Sequence, residues 1–593
     1  MCGIIARVGE GATTEELLDG LRNLEYRGYD SAGLAVGGDG RLDVVKAEGA
    51  VERLVEATSG TRREGVVGIG HTRWSTHGPP SDANAHPHTD CRGEVAVVHN
   101  GIIENYDSLR SELRERDHRF TSETDTEVLP HLIEEGLAAG EPIEAAFRSA
   151  VSRLRGSYAV AMIARGHDAV FAARQGSPLV LGVGDGVTYL ASDVPAFLEF
   201  TDRVVFLDDG TVAVVTESGY RLTDSEGAPL EAERRRVTWR PEDVKKDGFA
   251  HYMLKEIHEQ PTALRQALSS QRALRADGGP CASDVENVQL VACGTSFHAS
   301  LYGAYLLNAR GIPAQALLAS EYPVRLPPVT ENTLVIAVTQ SGETADTLTA
   351  IESARAAGAR TLAVTNVVGS SAARVCDDTV FIRAGPEIGV AATKTFSSQI
   401  LALLSIVEGL ADEPGERSSY TEAIEALPEQ VQWILDTSTS RRIAERYRTG
   451  DRFLFIGRGL GYPVALEGAL KMKEISYEHA EGFAAGELKH GPLALVTPST
   501  VVFAVFTGRQ DEKLLNNVEE ARTRGASVVA VAAPSDGRIE GRVDDVLVIP
   551  RTHPDLAGLL ANVQLQLVSY HAADLLGRPI DKPRNLAKSV TVE

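Results

Sequence analysis

Two sets of side chains in this sequence have the types and spacing for chemistry, and they lie at opposite ends of the chain. The first is Cys2, directly behind the initiator methionine and followed by Gly3-Ile4-Ile5. So small a residue permits removal of the methionine, which leaves the thiol beside its own α-amino group. With a pKa of roughly 7.7–8.0, part of that amine is an uncharged base at neutral pH. One residue then carries both nucleophile and base. On Met-Cys-Gly alone, a small buried residue opening a strand is the simpler reading. The second set lies toward the far end. Glu467, Lys471 and Glu474 share a face at i, i+4 and i+7 of the helix expected over Ala465–Ile475. His490 follows in a glycine-flanked run, and the chain closes on Pro-Arg-Asn-Leu-Ala-Lys588-Ser-Val-Thr-Val-Glu593. Read plainly, these are a surface ion-pair ladder and a frayed tail. Lysine usage argues otherwise, because 11 lysines stand against 48 arginines in the whole chain. Yet Lys394, Lys471, Lys473, Lys489, Lys582 and Lys588 all fall in or beside the far-end segments and a related one near residue 390. A lysine amine can lose its proton and form a Schiff base with a carbonyl, whereas arginine effectively cannot.

Further polar clusters would serve these two centres. His71-Thr72-Arg73-Trp74-Ser75-Thr76-His77-Gly78 ends a strand, and an arginine fork there suits an α-carboxylate. Val97-Val98-His99-Asn100-Gly101 ends another, where the Asn100 side chain and the Gly101 N–H could both point at a developing oxyanion. Asn-Gly after a strand is otherwise simply a turn. Asp125 could hold a substrate ammonium or cap the helix behind it. His71, His77, His86 and His88 fit no i, i+4 metal pair and no cysteine joins them, so no metal is expected.

The elements that must position these groups fall into three parts. Over 2–239, short apolar runs recur at Ile4–Val8, Leu34–Val36, Val66–Gly70, Val95–Val98, Tyr158–Ala164, Ala169–Ala173, Leu179–Val183 and Val204–Leu207. Asp209-Gly210 reads as a hairpin turn, and two helices are expected near Asn105–Arg116 and Thr126–Ala138. Residues 240–248 are charged and bounded by Pro and Gly, as a linker is. Beyond them, Tyr252–Gln260 has helix character stopped by Pro261. Two further lobes are expected over 281–420 and 444–583, with 584–593 as a tail. They form a repeat: the strands Val288–Ala292, Leu334–Val338 and Thr361–Thr365 recur at Phe453–Ile456, Val501–Phe506 and Ser527–Val531, roughly 165 residues on. Short apolar strands alternating with helices indicate parallel, doubly wound sheet. In the first copy Thr339-Gln340-Ser341-Gly342-Glu343-Thr344 opens a helix, where free N–H groups favour phosphate. Thr295 and Ser296 would converge on the same crevice. The matching turn of the second copy, Phe506–Asp511, lacks the hydroxyl cluster.

Composition excludes several classes. The net charge of −23 argues against a nucleic-acid partner. No apolar run approaches the roughly 20 residues of a membrane helix, and the start lacks a signal peptide's basic and apolar segments. Five dispersed cysteines without a C-x-x-C pair fit a reducing cytoplasm better than a disulfide framework or a zinc site. The thinly spread acid and the arginine excess point to a high-salt cytoplasm. No G-x-x-x-x-G-K-[ST] loop is present, so nothing suggests an ATP-type site.

Cys2-Gly3-Ile4, Tyr26-Arg27-Gly28-Tyr29-Asp30-Ser31-Ala32-Gly33, His71–Gly78 and His99-Asn100-Gly101 together resemble the class II glutamine amidotransferases. These are N-terminal-nucleophile (Ntn) hydrolases with an αββα sandwich. The resemblance implies that Cys2 attacks the glutamine amide, Asn100 and Gly101 form the oxyanion hole, and Arg73, Thr76, His77 and Asp125 hold the amino-acid end. The repeated lobes, with Glu387–Lys394, resemble sugar isomerase (SIS) domains. The whole combination is similar to the family of glutamine-dependent, isomerising aminotransferases acting on fructose 6-phosphate. That resemblance implies a homodimer without cofactor. In it Lys588 forms a Schiff base with C2 of the open sugar, His490 assists ring opening, and Glu474 moves a proton between C1 and C2 with Lys471 nearby. Thr295, Ser296, Thr339, Gln340, Ser341 and Thr344 would bind the sugar phosphate, Thr339 standing where the family usually has serine. Trp74 would gate a dry passage for ammonia.

Overall fold

The computed structural model describes residues 2–11, 13–38, 40–59, 65–276, 285–325, 327–410, 417–534 and 537–591. They fall into two compact units, one of Met1–Lys245 with Ala587–Glu593 and one of Lys246–Leu586. Cys281 and the expected lobe connection Ala411–Gly415 lie outside the described residues.

The first unit is built on two antiparallel sheets. The eight-stranded sheet includes Gly3–Gly9, Ser31–Gly38 and Val67–Arg73, and the seven-stranded one includes Val95–Ile103, Gly156–Ala164 and Val170–Gln175. Ile4, Val8, Ile69, Val98, Ala161, Leu181 and Leu190 fill the space between them. The second sheet's other face, with Val97, Val160 and Met162, packs against helices Tyr106–Glu115, Val128–Ala138 and Ile143–Ser152. Helix Thr13–Leu24 packs on the first sheet against Gly3–Gly9 and Val67–Arg73. The result is an αββα sandwich whose central strands are buried on both faces. That is why they read as apolar runs rather than as alternation.

Three expectations need correcting. Helices Thr13–Leu24, Val51–Thr58 and Ile143–Ser152 add to the two anticipated in this unit. Asp209-Gly210 does not close a hairpin: Arg203–Phe206 pairs within the eight-stranded sheet and Val212–Thr216 within the seven-stranded one. The turn carries the chain from one sheet to the other, and the local Asp-Gly signal is the same for either destination. Pro261 sits in the first turn of a second helix, Gln260–Ala276, directly after Tyr252–His258. A proline is tolerated there because the first-turn N–H has no intrahelical partner.

The second unit holds two five-stranded parallel sheets of the same order. One runs Ala314–Leu318, Asn287–Ala292, Thr333–Thr339, Arg360–Thr365, Asp378–Phe381. The other runs Ala480–Ala484, Arg452–Gly457, Thr500–Val505, Ser527–Ala532, Asp545–Val548. The three inner strands of each are those expected. The edge strands escaped notice because they are short and, as in Ala314–Leu318, partly exposed. In each sheet the order reverses beside the strand that is first in sequence, opening a crevice at the carboxyl edge. A largely buried helix, Pro554–Leu575, lies in the core shared by both lobes. Among the described residues no helix is long and apolar enough to cross a membrane.

Candidate active sites

In the first unit the strand register assembles the site. Gly3 lies opposite Thr72, which brings Cys2 to the end of the pairing beside Arg73, within reach of the Trp74 backbone. The Cys2 Sγ accepts a hydrogen bond from the Trp74 N–H at 3.2 Å and lies 3.4 Å from the Trp74 carbonyl. From the other sheet, Asn100 Nδ2 donates to the Cys2 carbonyl at 2.9 Å, and Arg27 Nε donates to the same oxygen at 3.3 Å. His71 sets the orientation of Asn100. Its Nε2 lies 3.0 Å from the His99 carbonyl, which can only accept, so this nitrogen carries the proton. Asn100 Oδ1 lies 3.2 Å from the same Nε2, so the amide NH₂ is turned toward Cys2. Gly101 has φ +122°, and a Cβ there would lie 1.9 Å from the Ser157 carbonyl oxygen. Only glycine fits beside Asn100.

Electrostatics decide the protonation states. Burial pushes His71 down to about 3 and also lowers His86, His88 and His99, so these rings are neutral at pH 7. Burial raises the Cys2 thiol, only partly offset by the Trp74 N–H and Arg73. The sulfur is therefore protonated at neutral pH and needs a base. Among the described residues no imidazole hydrogen-bonds it, and its partner is the Trp74 backbone alone.

Arg73 donates to the carbonyls of His77, Gly78 and Pro79, curling the strand end back on itself. Asp125, buried in a single 3₁₀ turn, accepts the Ile103 N–H at 2.8 Å and lies 4.0 Å from His77 Nδ1. Thr76 Oγ1 lies 3.3 Å from the same ring. Arg73, Thr76, His77 and Asp125 thus gather at one loop. Trp74 is half-buried, edge-on to Tyr29 at 5.7 Å. Arg27 and His71 belong to the Tyr26–Gly33 and His71–Gly78 motifs, whose local pattern gives neither a role. Their function is to hold Cys2 and Asn100, which only the sheet pairing reveals.

In the second unit the carboxyl edge of the first lobe carries the hydroxyl loop. Thr339 Oγ1 accepts the Gly342 N–H at 3.2 Å and lies 3.4 Å from Thr344 Oγ1, while Ser341 Oγ accepts the Glu343 N–H at 3.2 Å. The Gln340 carbonyl accepts the Asn366 N–H at 3.1 Å. Gly342, at φ +69°, has no room for a Cβ, which would lie 2.2 Å from Ser370 Oγ. Helix Ala345–Ala356 follows with Thr344 at its N-cap.

The charged helix is Gly461–Ser476, and it is no surface ladder. Glu467 is 0% and Lys471 1% exposed. Lys471 Nζ lies 2.6 Å from Glu474 and 3.4 Å from Glu467. Thr295, on the adjoining lobe, donates to Glu467 at 3.0 Å and accepts from Lys471 at 3.1 Å. Its hydroxyl is engaged there, so none of its hydrogen bonds goes to the 340–344 loop. His298 Nδ1 lies 2.8 Å from the second Glu467 oxygen. The one trace of His298 in the sequence is that it shares a helix face with Thr295 at i, i+3. Ser296 Oγ accepts from Gln399 at 2.9 Å. Burial alone would lower the Lys471 ammonium, but the two carboxylates more than reverse this and hold it above its ordinary value. Lys471 stays a cation and is no imine-forming amine.

His490 ends a 3₁₀ segment, Ala485–His490, and is exposed, with no hydrogen bond or ion pair among the described residues. Lys588 is half-buried in the closing segment that clusters with the first unit.

Residues 71–199 match the glutamine amidotransferase domain family, and 283–408 and 447–575 match the SIS domain family. Over its full length the chain is 51% identical to the glutamine–fructose-6-phosphate aminotransferase [isomerizing] of Halobacterium salinarum, covering all of both proteins. It is 47% identical to an enzyme of the same name from Thermus thermophilus, again with complete coverage of both. The chain belongs to the isomerising glutamine–fructose-6-phosphate aminotransferase family. The C-terminal domain of the glucosamine-fructose-6-phosphate aminotransferase from Francisella tularensis is similar to 57% of this chain. That match spans all of the solved domain, with 33% identity and a TM-score of 0.52. The antiparallel unit accordingly carries the family's amidotransferase module and the parallel sheets its pair of SIS domains.

Proposed function

We propose that the chain converts L-glutamine and D-fructose 6-phosphate into L-glutamate and D-glucosamine 6-phosphate, with Cys2 and Lys588 as its two covalent centres. After loss of Met1, the free α-amine of Cys2 takes the thiol proton as Sγ attacks the glutamine amide carbon. That proton then leaves with ammonia, and water hydrolyses the γ-glutamyl thioester to glutamate. Asn100 and Gly101 stabilise each oxyanion. Arg73 takes the substrate carboxylate and Asp125 its ammonium, with Thr76 and His77 beside them.

The sugar phosphate is held by Ser341, Gln340, Thr339, Thr344 and Ser296 around the free N–H groups of a helix start. His490 from a second subunit opens the ring. The Lys588 amine condenses with the C2 carbonyl, releasing water, and ammonia then displaces the lysine. Glu474 takes a proton from C1 and returns it to C2, giving the 2-amino aldose. Free ammonia at pH 7 is mostly the non-nucleophilic ammonium ion, so it travels through a dry passage gated by Trp74. The chain acts as a cytoplasmic homodimer. Its net charge of −23 and its 51% identity to the Halobacterium protein support a high-salt setting.

The observation that carries this reading is Cys2, held between the Trp74 backbone and the His71-oriented Asn100 amide with no imidazole at its sulfur. The engagement of Lys471 between two carboxylates adds support, since it leaves imine formation to a different lysine. The test mixes glutamine with fructose 6-phosphate and follows glutamate and glucosamine 6-phosphate in wild type, Cys2→Ala and Lys588→Arg. Cys2→Ala is expected to lose both products from glutamine, and Lys588→Arg to lose the amino sugar. Intact mass should show Met1 removed. Turnover by either variant at the wild-type rate would sink the assignment.

A further inference from the structure

Away from both sites, the first unit gathers four ligand-type side chains that the sequence keeps apart. Cys91 lies in the turn between strands His88–Thr89 and Val95–Ile103, and His118 in the loop after helix Tyr106–Glu115. His131 and Glu134 stand at i, i+3 on helix Val128–Ala138. Cys91 Sγ lies 3.8 Å from His118 Nδ1 and 3.6 Å from His131 Nδ1. Those two nitrogens lie 3.0 and 3.3 Å from one carboxylate oxygen, Glu134 Oε2. All four ligand atoms fall within 4.8 Å of one another.

The two N···O and two N···S distances are close to the edges of a tetrahedral ion, within a set that spans up to 4.8 Å and would close inward around one. Bonds of about 2.0 Å to nitrogen or oxygen and about 2.3 Å to sulfur give N···O edges of about 3.3 Å and N···S edges of about 3.5 Å. Without an ion, both imidazoles spend an Nδ1 proton on one carboxylate oxygen, Glu134 Oε2, which also accepts the Cys91 N–H at 3.2 Å. A cation satisfies all four ligand atoms at once. The surroundings also suit a site. The Arg119 N–H donates to Cys91 Sγ at 3.4 Å, as it would to a thiolate. His118 Nε2 lies 3.7 Å from Glu135, which Arg116 in turn holds at 2.8 Å, an outer carboxylate of the kind that orients ligating histidines. Cys91 is exposed, and a cleft lined by Arg92, Arg116, His118, Glu134 and Glu135 gives an ion a way in from solvent.

The geometry points to a structural zinc site formed by Cys91, His118, His131 and Glu134. One thiolate, two imidazoles and one carboxylate as donors select Zn²⁺ over the oxygen-loving Mg²⁺ and Ca²⁺. The ion pins the loop that runs from His118 to Asp125, so it fixes the candidate ammonium acceptor without touching substrate.

The test uses the full chain, purified without an affinity tag, in a Cys2→Ala background that removes the reactive thiol as a competing ligand. Each protein is loaded with zinc, freed of excess, and measured for metal content and thermal unfolding. Co²⁺ is then substituted to look for a thiolate charge-transfer band. The parent should retain one zinc per chain, show the band, and unfold at a higher temperature with zinc than after chelation. Cys91→Ser should lose the band and the zinc-dependent shift. Glu135→Gln, acting through His118, should bind zinc about tenfold more weakly. No retained zinc in the parent overturns the proposal. So does one equivalent retained by both Cys91→Ser and His131→Gln.

Discussion

The two SIS lobes share one strand order, yet the turn after their third strand is finished in opposite ways. In the first lobe Thr339 and Ser341 present hydroxyls to the Gly342 and Glu343 amides. In the second, the Asp511 carboxylate accepts the Gly508 N–H at 3.2 Å, and Gln510 takes φ +61° to bring it there. A neutral hydroxyl can yield its amide to an arriving phosphate. A built-in carboxylate already occupies the anion's place and repels a second negative charge. The helices reverse this contrast. Gly294–Ala309 of the first lobe contributes Thr295 and His298, whereas Gly461–Ser476 of the second supplies the buried Glu467 and Lys471 with Glu474. Duplicating a sheet copies a crevice at its carboxyl edge. What each crevice does is then set by a few side chains there.

Four substitutions would break or sharpen this division of labour. Glu474→Gln removes the proton carrier proposed for the second lobe. It should lower kcat for amino-sugar formation by about 10²–10⁴-fold while leaving the fructose 6-phosphate KM nearly unchanged. A large rise in KM instead would put Glu474 in binding and blur the contrast. Ser341→Asp gives the first lobe the second lobe's carboxylate. The fructose 6-phosphate KM should rise by about tenfold or more from like-charge repulsion, and Asp511→Ser, tested beside it, should change that KM little. Equal effects of the two would show that both turns bind phosphate. Thr339→Ser keeps the hydroxyl and deletes one buried methyl. Its cost should be about 0.8 kcal/mol of stability in denaturant unfolding, with KM shifted less than about twofold.

Much of the architecture was legible in the chain itself. Leu334–Val338 is apolar throughout, and Val288–Ala292 and Thr361–Thr365 are mostly so, because parallel strands are covered on both faces; short apolar runs therefore mark them. The edge strands Ala314–Leu318 and Asp545–Val548 did not show, because half-exposed strands of four or five residues carry little pattern. Asp209-Gly210 was legible as a turn, but a turn does not record which sheet receives the next strand. At the sites, the lysine-poor composition drew attention to Lys471 and Lys588. That Lys471 is locked between two carboxylates followed only from burial. His298 and Arg27 carried only faint sequence signals, a helix face shared with Thr295 and a place in a motif, since each acts by holding another residue.

The amino-acid order by itself determined local conformation and reactivity: which runs extend, which segments start helices, and that a thiol stands where an amine can be exposed. Tertiary structure alone decided the partnerships. Cys2 meets Trp74 across 72 positions, Thr295 meets Glu467 across 172, and Cys91 meets His131 across 40. Such pairings depend on sheet register and on burial that strips water from charge. Both are collective properties of the packed chain, which no short window of residues contains.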